Sequence, residues 1–434
     1  MVSTHPLREV FVMNKHFLTA WFVLLGFIAL CLPVHSQTPV ETWGQLHVEG
    51  TKIVSEQGEP VALRGMSLFW SQWIGKYYND ECVQWLKEDW QCTVIRAAMA
   101  VESGGYLQNP DTEFAKVETV IEACIDQGIY VIVDWHDHTA ENHVEAAIEF
   151  FTTIAQYYGD TPNLIYEIYN EPLQVSWLNV VKPYADTLVS EIRAIDPDNL
   201  IIVGTPTWSQ DVDAASRNPV VDDNVAYGLH FYSGTHTQWL RNKALTAMNN
   251  GAALFVSEFG VCESNGSGDI YYEETEKWFD FMKEHMISWC NWSIADKDET
   301  SAALKPGASA TGGWSEAELS ESGAYIRDTI ITWHDSSNTS VRPEPGPNRF
   351  RLVRHYPNPF NEQAVIQYWL SEGTRVQAAV FDVRGHEILN LLDAWQPAGD
   401  HVLRFNAHTL PSGLYTARLQ TGKHCQQLKM IHVK

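Results

Sequence analysis

A chain of 434 residues is too long for one ordinary core, so two domains are expected. Its 54 acidic against 29 basic residues give a formal net charge of −25, which argues against a nucleic-acid partner or an anionic surface and also serves solubility alone. The 45% hydrophobic content belongs to a globular protein, and 12% aromatics with 17 Trp suit a neutral ligand with apolar C–H faces, such as a sugar ring stacked on indole.

At the N-terminus, His5, Arg8, Lys15 and His16 precede an apolar run over residues 17–34, followed by small Ser36 and polar Gln37. This pattern predicts a secretory signal peptide over residues 1–36, cleaved near Ser36. The run is long enough for a membrane anchor, but Pro33 and Ser36 favour cleavage, so no stable membrane insertion is expected.

From residue 40 to 333, short apolar runs alternate with longer amphipathic ones. The short runs cover residues 61–67, 93–98, 129–135, 163–169, 200–204, 225–231, 253–258 and 287–292. Each is nearly continuous in apolar character, as parallel strands buried on both faces must be. Between them, residues 113–127 carry Val117, Val120, Ile121, Cys124 and Ile125 at helical spacing, with Gly128 as a stop. Residues 177–195 read the same way and end at Asp196-Pro197. The expectation is an α/β fold, a (β/α)8 TIM barrel over residues 37–334, with a hairpin around Glu49-Gly50 closing its floor.

Residues 335–350 are rich in Ser, Asn and Pro and read as a linker. Beyond them the period becomes two, with strands expected at 364–370, 376–383, 401–406, 413–420 and 426–433. A small antiparallel all-β sandwich over residues 351–434 follows from that pattern. The seven Cys leave Cys82–Cys92 and Cys262–Cys290 disulfides open, with buried free thiols as the alternative. No CxxC pair or Cys/His cluster suggests a metal, and neither metal nor cofactor is expected.

Catalytic residues of a barrel sit at the C-terminal ends of its strands. Reading those ends in order gives Arg96, then Asp134-Trp135-His136, Asn170-Glu171-Pro172, His230-Phe231-Tyr232, Ser257-Glu258-Phe259 and Asn291-Trp292-Ser293. Two carboxylates, Glu171 and Glu258, fall on strands facing each other across the mouth. Glycoside hydrolysis needs such a pair, one raised in pKa to act as acid and one lowered to act as nucleophile. Arg96 and Tyr232 are placed to stabilise ionised Glu258, His230 to tune Glu171, and Asn170 to bond a sugar 2-OH.

The stretches Ile95-Arg96-Ala97-Ala98-Met99, Val133-Asp134-Trp135-His136, Asn170-Glu171-Pro172, His230-Phe231-Tyr232 and Val256-Ser257-Glu258-Phe259-Gly260 together resemble glycoside hydrolase family 5, in particular its bacterial endo-β-1,4-glucanases. The resemblance implies that Glu171 is the acid/base and Glu258 the nucleophile. It places Arg96, His136, Asn170, His230 and Tyr232 around them, and Trp292 beneath the sugar beside the cleaved bond. It also implies sugar contacts for Trp73, Lys297 and Glu299. Phe69 and Ala100 depart from the residues, His and Tyr, that many relatives carry there, which leaves chain-length preference open.

Tyr356-Pro357-Asn358-Pro359-Phe360-Asn361 and the closing Lys429-Met430-Ile431-His432-Val433-Lys434 resemble the C-terminal sorting domains of type IX secretion. That implies the type IX machinery as a partner and a secreted or surface-attached protein; separately, a monomer is expected. A carbohydrate-binding module is the alternative, with Tyr368, Trp369 and Trp395 as its stacking candidates. The expected activity is retaining endo-hydrolysis of cellulose, with a mannanase, xyloglucanase, mixed-linkage glucanase or non-catalytic polysaccharide-binding protein as rivals.

Overall fold

A parallel strand covered on both faces needs apolar side chains at consecutive positions, and eight segments that meet this need form strands. They are β1 (Arg64–Leu68), β2 (Val94–Ala100), β3 (Tyr130–His136), β4 (Leu164–Glu167), β5 (Leu200–Val203), β6 (Val225–Gly228), β7 (Leu254–Gly260) and β8 (Ser288–Ile294). Each pairs in parallel with its neighbour in the chain, and β8 pairs with β1, so the barrel closes. This computed structural model describes residues 37–337 and most of 350–434. The expected signal peptide and most of the expected linker lie outside the described residues.

A helix follows every strand: α1 (Asp80–Glu88), α2 (Pro110–Gln127), α3 (Val144–Tyr158), α4 (Lys182–Arg193), α5 (Val212–Ser216), α6 (Gln238–Asn249), α7 (Tyr272–His285) and α8 (Glu321–Ser337). In α2 the expected apolar face is the buried one, and Gly128 ends the helix at φ 64°. The helix begins at Pro110, earlier than the apolar spacing predicts, because a first-turn proline lacks only an N–H that has no helical acceptor. The run expected from residue 177 divides into a π-helical turn, Trp177–Val181, and α4.

Alternation along the strands sorts side chains inward and outward. Outward Ile95, Val131, Val133 and Tyr166 pack with Val117, Ile121 and Phe151 of the helices. Inward Val94, Tyr130, Ile132, Ile165, Leu200, Ile202 and Phe255 pack with Leu46 and Ile53 at the hairpin His47–Glu49/Lys52–Val54. Full burial of such aliphatic side chains contributes about 1.5–3 kcal/mol each, so this apolar plug is a firm floor. One step further along β2, β3 and β4, the same inward phase carries Arg96, Asp134 and Glu167, all fully buried. The interior therefore changes from apolar to charged toward the C-terminal rim.

The C-terminal region is all antiparallel β. Strands β9 (Phe350–Tyr356), β10 (Gln363–Leu370) and β13 (Gly399–Asn406) form one sheet. Strands β11 (Thr374–Phe381), β12 (Glu387–Gln396), β14 (Gly413–Thr421) and β15 (His424–His432) form the other. Alternate residues Ala364, Ile366, Tyr368 and Leu370 pack with Val376, Ala378, Val380, Ala417 and Leu419 between them. Sequence alternation misses β9 and β12 for a shared reason. Register shifts between Leu352 and Arg354 and opposite Ala378–Ala379 break the period of two. Tyr368 is buried in the core, whereas Trp395 on β12 is exposed.

Cys82, Cys92, Cys124, Cys262 and Cys290 are buried free thiols, so neither candidate disulfide forms. Among the described residues, no helix is long and apolar enough to cross a membrane.

Candidate active site

Arg96 is the hub of the polar interior. Its Nε donates to Glu167 at 2.7 Å, Nη1 to Glu258 Oε2 at 3.0 Å and Nη2 to Asn170 Oδ1 at 2.6 Å. Asp134 Oδ2 lies 3.0 Å from Nη2. Burial by itself would lower the Arg96 pKa, but Asp134, Glu167 and Glu258 more than reverse this, so the guanidinium is a fixed cation. Asp134 also meets His136 Nδ1 at 2.6 Å. Burial, together with Arg96, His138 and His230, holds the His136 pKa well below its ordinary value, so its ring is neutral.

The two candidate catalytic carboxylates reach this hub by different routes. Glu171 follows β4 on a loop whose backbone is tied to β3: Asn170 N donates to Trp135 O and Glu171 N to Asp137 O. Glu258 lies within β7, where three steps along the strand (Val256 to Phe259) match two along β8 (Trp289 to Asn291). The extra residue is a bulge, and it turns the adjacent Ser257 and Glu258 both inward. Glu258 Oε1 accepts from the Tyr232 hydroxyl at 2.8 Å. Tyr232 sits on a two-residue strand, Phe231–Tyr232, paired with the end of β7. Its ring packs directly on Gly260, where a Cβ would come 2.3 Å from Cδ1.

Glu171 Oε1 lies 3.0 Å from His230 Nδ1, and His138 Nδ1 lies 3.7 Å from Oε2. One ligand atom each from Glu171, His230 and Glu258 falls within 4.8 Å of the other two. The spacing is tight enough for a metal ion. However, Arg96, Tyr232 and His230 already engage these carboxylates, so the group is arranged for charge stabilisation and proton transfer.

Electrostatics at the pair run opposite to the simple expectation of a raised acid and a lowered nucleophile. Burial would raise Glu171, but the hydrogen bond and charge of His230, then His138 and Arg96, bring it below its ordinary value. Burial and then Glu171 push Glu258 up, against the pull of His230, Arg96 and Tyr232. Burial would lower His230, yet its contacts with Glu167 and Glu171 and the charge of Glu258 raise it to about 9. The proton that an isolated acid would hold thus rests on His230.

The remaining sequence-predicted residues form a wall continuous with this centre. Trp292, at the end of β8 and only 6% exposed, stacks on His136 with centroids 5.1 Å apart and planes 4° apart. It also meets Phe69 at 5.2 Å. Lys297 lies over the Phe69 ring at 4.7 Å and pairs with Glu299 at 2.6 Å. Trp73 is 60% exposed and reaches Phe69 at 6.4 Å, so it stands at the solvent edge of the wall.

Sequence reasoning does not single out Asp134, Glu167, Ser257, Trp70 or Trp208 as site residues. The first three had a signal: polar side chains at the inward phase of otherwise apolar strands. Trp70 sets its edge against His136, with centroids 4.1 Å apart. Trp208 is 39% exposed on the loop after β5, where Thr207, Trp208 and Ser209 have φ of 60°, 55° and 56°. Three consecutive left-handed residues without glycine leave no local sequence signal. The loop is held by Thr207 N to Leu173 O, Trp208 N to Pro172 O and Ser209 Oγ to Asn170 O, so it buttresses the segment carrying Glu171.

Comparison with known proteins adds family relations to this geometry. Residues 54–298 match cellulase (glycosyl hydrolase family 5), and residues 354–434 match a secretion system C-terminal sorting domain. Endoglucanase Z of Dickeya dadantii is 47% identical over 333 residues, covering 76% of this chain and 74% of that protein. Endoglucanase A of Evansella cellulosilytica is 51% identical over 278 residues, covering 63% of this chain and 57% of that protein. A solved structure from Cytophaga hutchinsonii is 51% identical with a TM-score of 0.69, covering 69% of this chain and 99% of that one.

Proposed function

This chain belongs to glycosyl hydrolase family 5, and from that premise we propose that it is a secreted endo-β-1,4-glucanase that cleaves internal bonds of cellulose with retention. The observation that carries the mechanism is the spacing of the carboxylates. One oxygen of Glu171 and one of Glu258 lie within 4.8 Å of each other, which fits the close pair, about 5–5.5 Å apart, used for direct attack and not the wider gap that admits a water.

In this reading Glu258 attacks the anomeric carbon while Glu171 protonates the departing glycosidic oxygen. The resulting glycosyl ester is then hydrolysed by water, whose proton returns to Glu171, and Glu258 recovers its charge. Arg96 and the Tyr232 hydroxyl orient Glu258 and stabilise its charge. Because Arg96 fills Asn170 Oδ1, the Asn170 amide N–H groups are left to donate to the sugar 2-OH. Exposed Trp73 supplies an apolar face for a sugar ring, with Lys297 and Glu299 nearby; Trp292, 6% exposed, lines the floor against which the ring beside the cleaved bond rests, and partly exposed Trp208 offers a further face beyond Glu171.

We read residues 37–334 as the catalytic domain of a monomer, 335–350 as a linker and 351–434 as the sorting domain read by type IX machinery. The C-terminal sorting domain makes the protein secreted or surface-attached. The test is the first product formed from a soluble cello-oligosaccharide, followed by NMR. The β anomer is expected, and Glu258→Ala should abolish turnover while retaining binding. An α anomer overturns retention, and strong mannan hydrolysis with none on cellulose derivatives overturns the substrate.

A further inference from the structure

Beneath the two carboxylates a continuous chain of hydrogen bonds joins one to the other: Glu171, His230, Ser257, Glu167, Arg96, Glu258. His230 Nδ1 meets Glu171 at 3.0 Å and His230 Nε2 meets Ser257 Oγ at 2.9 Å. Ser257 Oγ in turn donates to Glu167 Oε1, and Arg96 Nε donates to Glu167 Oε2. Ser257 and Glu167 are fully buried beneath the carboxylates.

We propose that Ser257 and Glu167 are positioning residues that fix the tautomer of His230, so that one proton is shared between His230 Nδ1 and the Glu171 carboxyl. The proposal rests on the reading of Glu171 as acid/base. The argument is one of valence. Glu167, locked by Arg96, is an ionised acceptor; burial opposes its charge, but Arg96 and His230 outweigh burial. Ser257 has one hydroxyl proton, and it is committed to Glu167. Its oxygen can then only accept from His230, so Nε2 carries a proton in every state. While the pair holds its proton, Nδ1 is either protonated against ionised Glu171 or bare against protonated Glu171.

This sharing explains how Glu171 serves both halves of a double displacement from a depressed pKa. When Glu258 forms its bond to the anomeric carbon, it loses the negative charge that favoured cationic His230. The shared proton then passes through Glu171 to the glycosidic oxygen as the C–O bond breaks. His230 is left neutral and Glu171 ionised, ready to take a proton from water in the second half. That proton restores the shared pair, and cleavage of the glycosyl ester returns charge to Glu258. The charged and titratable groups around His230 are Glu167 and Glu171 from β4 and its loop, Glu258 from β7, Arg96 from β2, Asp134 and His136 from β3, and His138 and His236 from the rim loops.

The test compares Ser257→Ala with Ser257→Thr in the full chain, measuring kcat/KM against pH on a soluble cello-oligosaccharide. Loss of the shared proton removes the acid, so it sets the alkaline limb. Without the Ser257 oxygen the pair holds its proton less tightly, and the alkaline limb should move down by about one pH unit. Ser257→Thr, which keeps the hydroxyl, should restore the limb. An unmoved limb in Ser257→Ala, or an equal shift in both variants, overturns the relay. Nitrogen-15 NMR of His230, assigned with His230→Asn, gives a second readout independent of the threonine variant. Wild type should show the Nε2–H tautomer above the alkaline limb and Ser257→Ala a mixture; an Nδ1–H tautomer in wild type overturns the relay. Glu171→Ala separates the two ideas. If it keeps full kcat/KM, the acid/base reading fails; if it does not, the limb and the tautomer judge the relay alone.

Discussion

Deleting one oxygen from Tyr232 tests how Glu258 is kept ionised. Tyr232→Phe removes the hydroxyl that donates to Glu258 Oε1 at 2.8 Å and leaves the ring among Phe69, Ala98, Cys262 and Trp292. A hydrogen bond to a charged group contributes about 1.5–3 kcal/mol, equivalent to a rate factor of about 10 to 150 or about one to two pKa units. Burial and Glu171 already push Glu258 upward, and the Tyr232 hydroxyl is one of the groups pulling it back. Its loss moves the Glu258 pKa further up. In the proposed mechanism Glu258 attacks only when ionised, so the acid limb of kcat/KM should shift to higher pH by at least about one unit. Above that limb kcat should still fall by about tenfold or more, because orientation is lost as well. Ring volume is preserved, so urea unfolding should change by less than about 1.5 kcal/mol. The assay is steady-state hydrolysis of cellotetraose across both limbs, beside an unfolding curve. A variant with an unmoved acid limb, or one whose loss lies wholly in KM, refutes the reasoning.

Gly260→Ala should give a similar phenotype without touching a polar group, since its Cβ would lie 2.3 Å from Cδ1 of Tyr232 and push the ring off Glu258. A fall in kcat of about 100-fold with intact circular dichroism is expected, and near-wild-type kcat would show that the ring tolerates displacement. His230 predicts a pH dependence of stability. Its pKa is raised from 6.5 to about 9, so its contribution is complete below 6.5 and is lost as pH rises through about 9. Across that window the unfolding free energy from urea melts should fall by up to about 3 kcal/mol, and His230→Asn should flatten the pH slope; an equal slope in the variant places its origin elsewhere.

The barrel strands were legible because burial on both faces imposes continuous apolar runs, a demand that neighbouring residues meet together. Helix ends were legible where one residue type fits, as at Gly128 with φ 64°. Strands β9 and β12 were not, because bulges break the period that reveals a strand. At the site, strand ends gave Arg96, His136, Glu171 and Glu258 as neighbours on one rim. Their electrical arrangement was another matter. Alternation along β7 assigns Ser257 and Glu258 to opposite faces, and only the bulge against β8 turns both inward. The lowered Glu171 and raised His230 likewise depend on Glu167, Arg96 and Glu258 meeting from three strands that are far apart in sequence. Sequence by itself determined which groups gather at the rim, because pattern and spacing are local properties. Tertiary structure decided which of them hold the proton, because that balance depends on burial and on distances of about 3 Å between residues that only the closed barrel brings together.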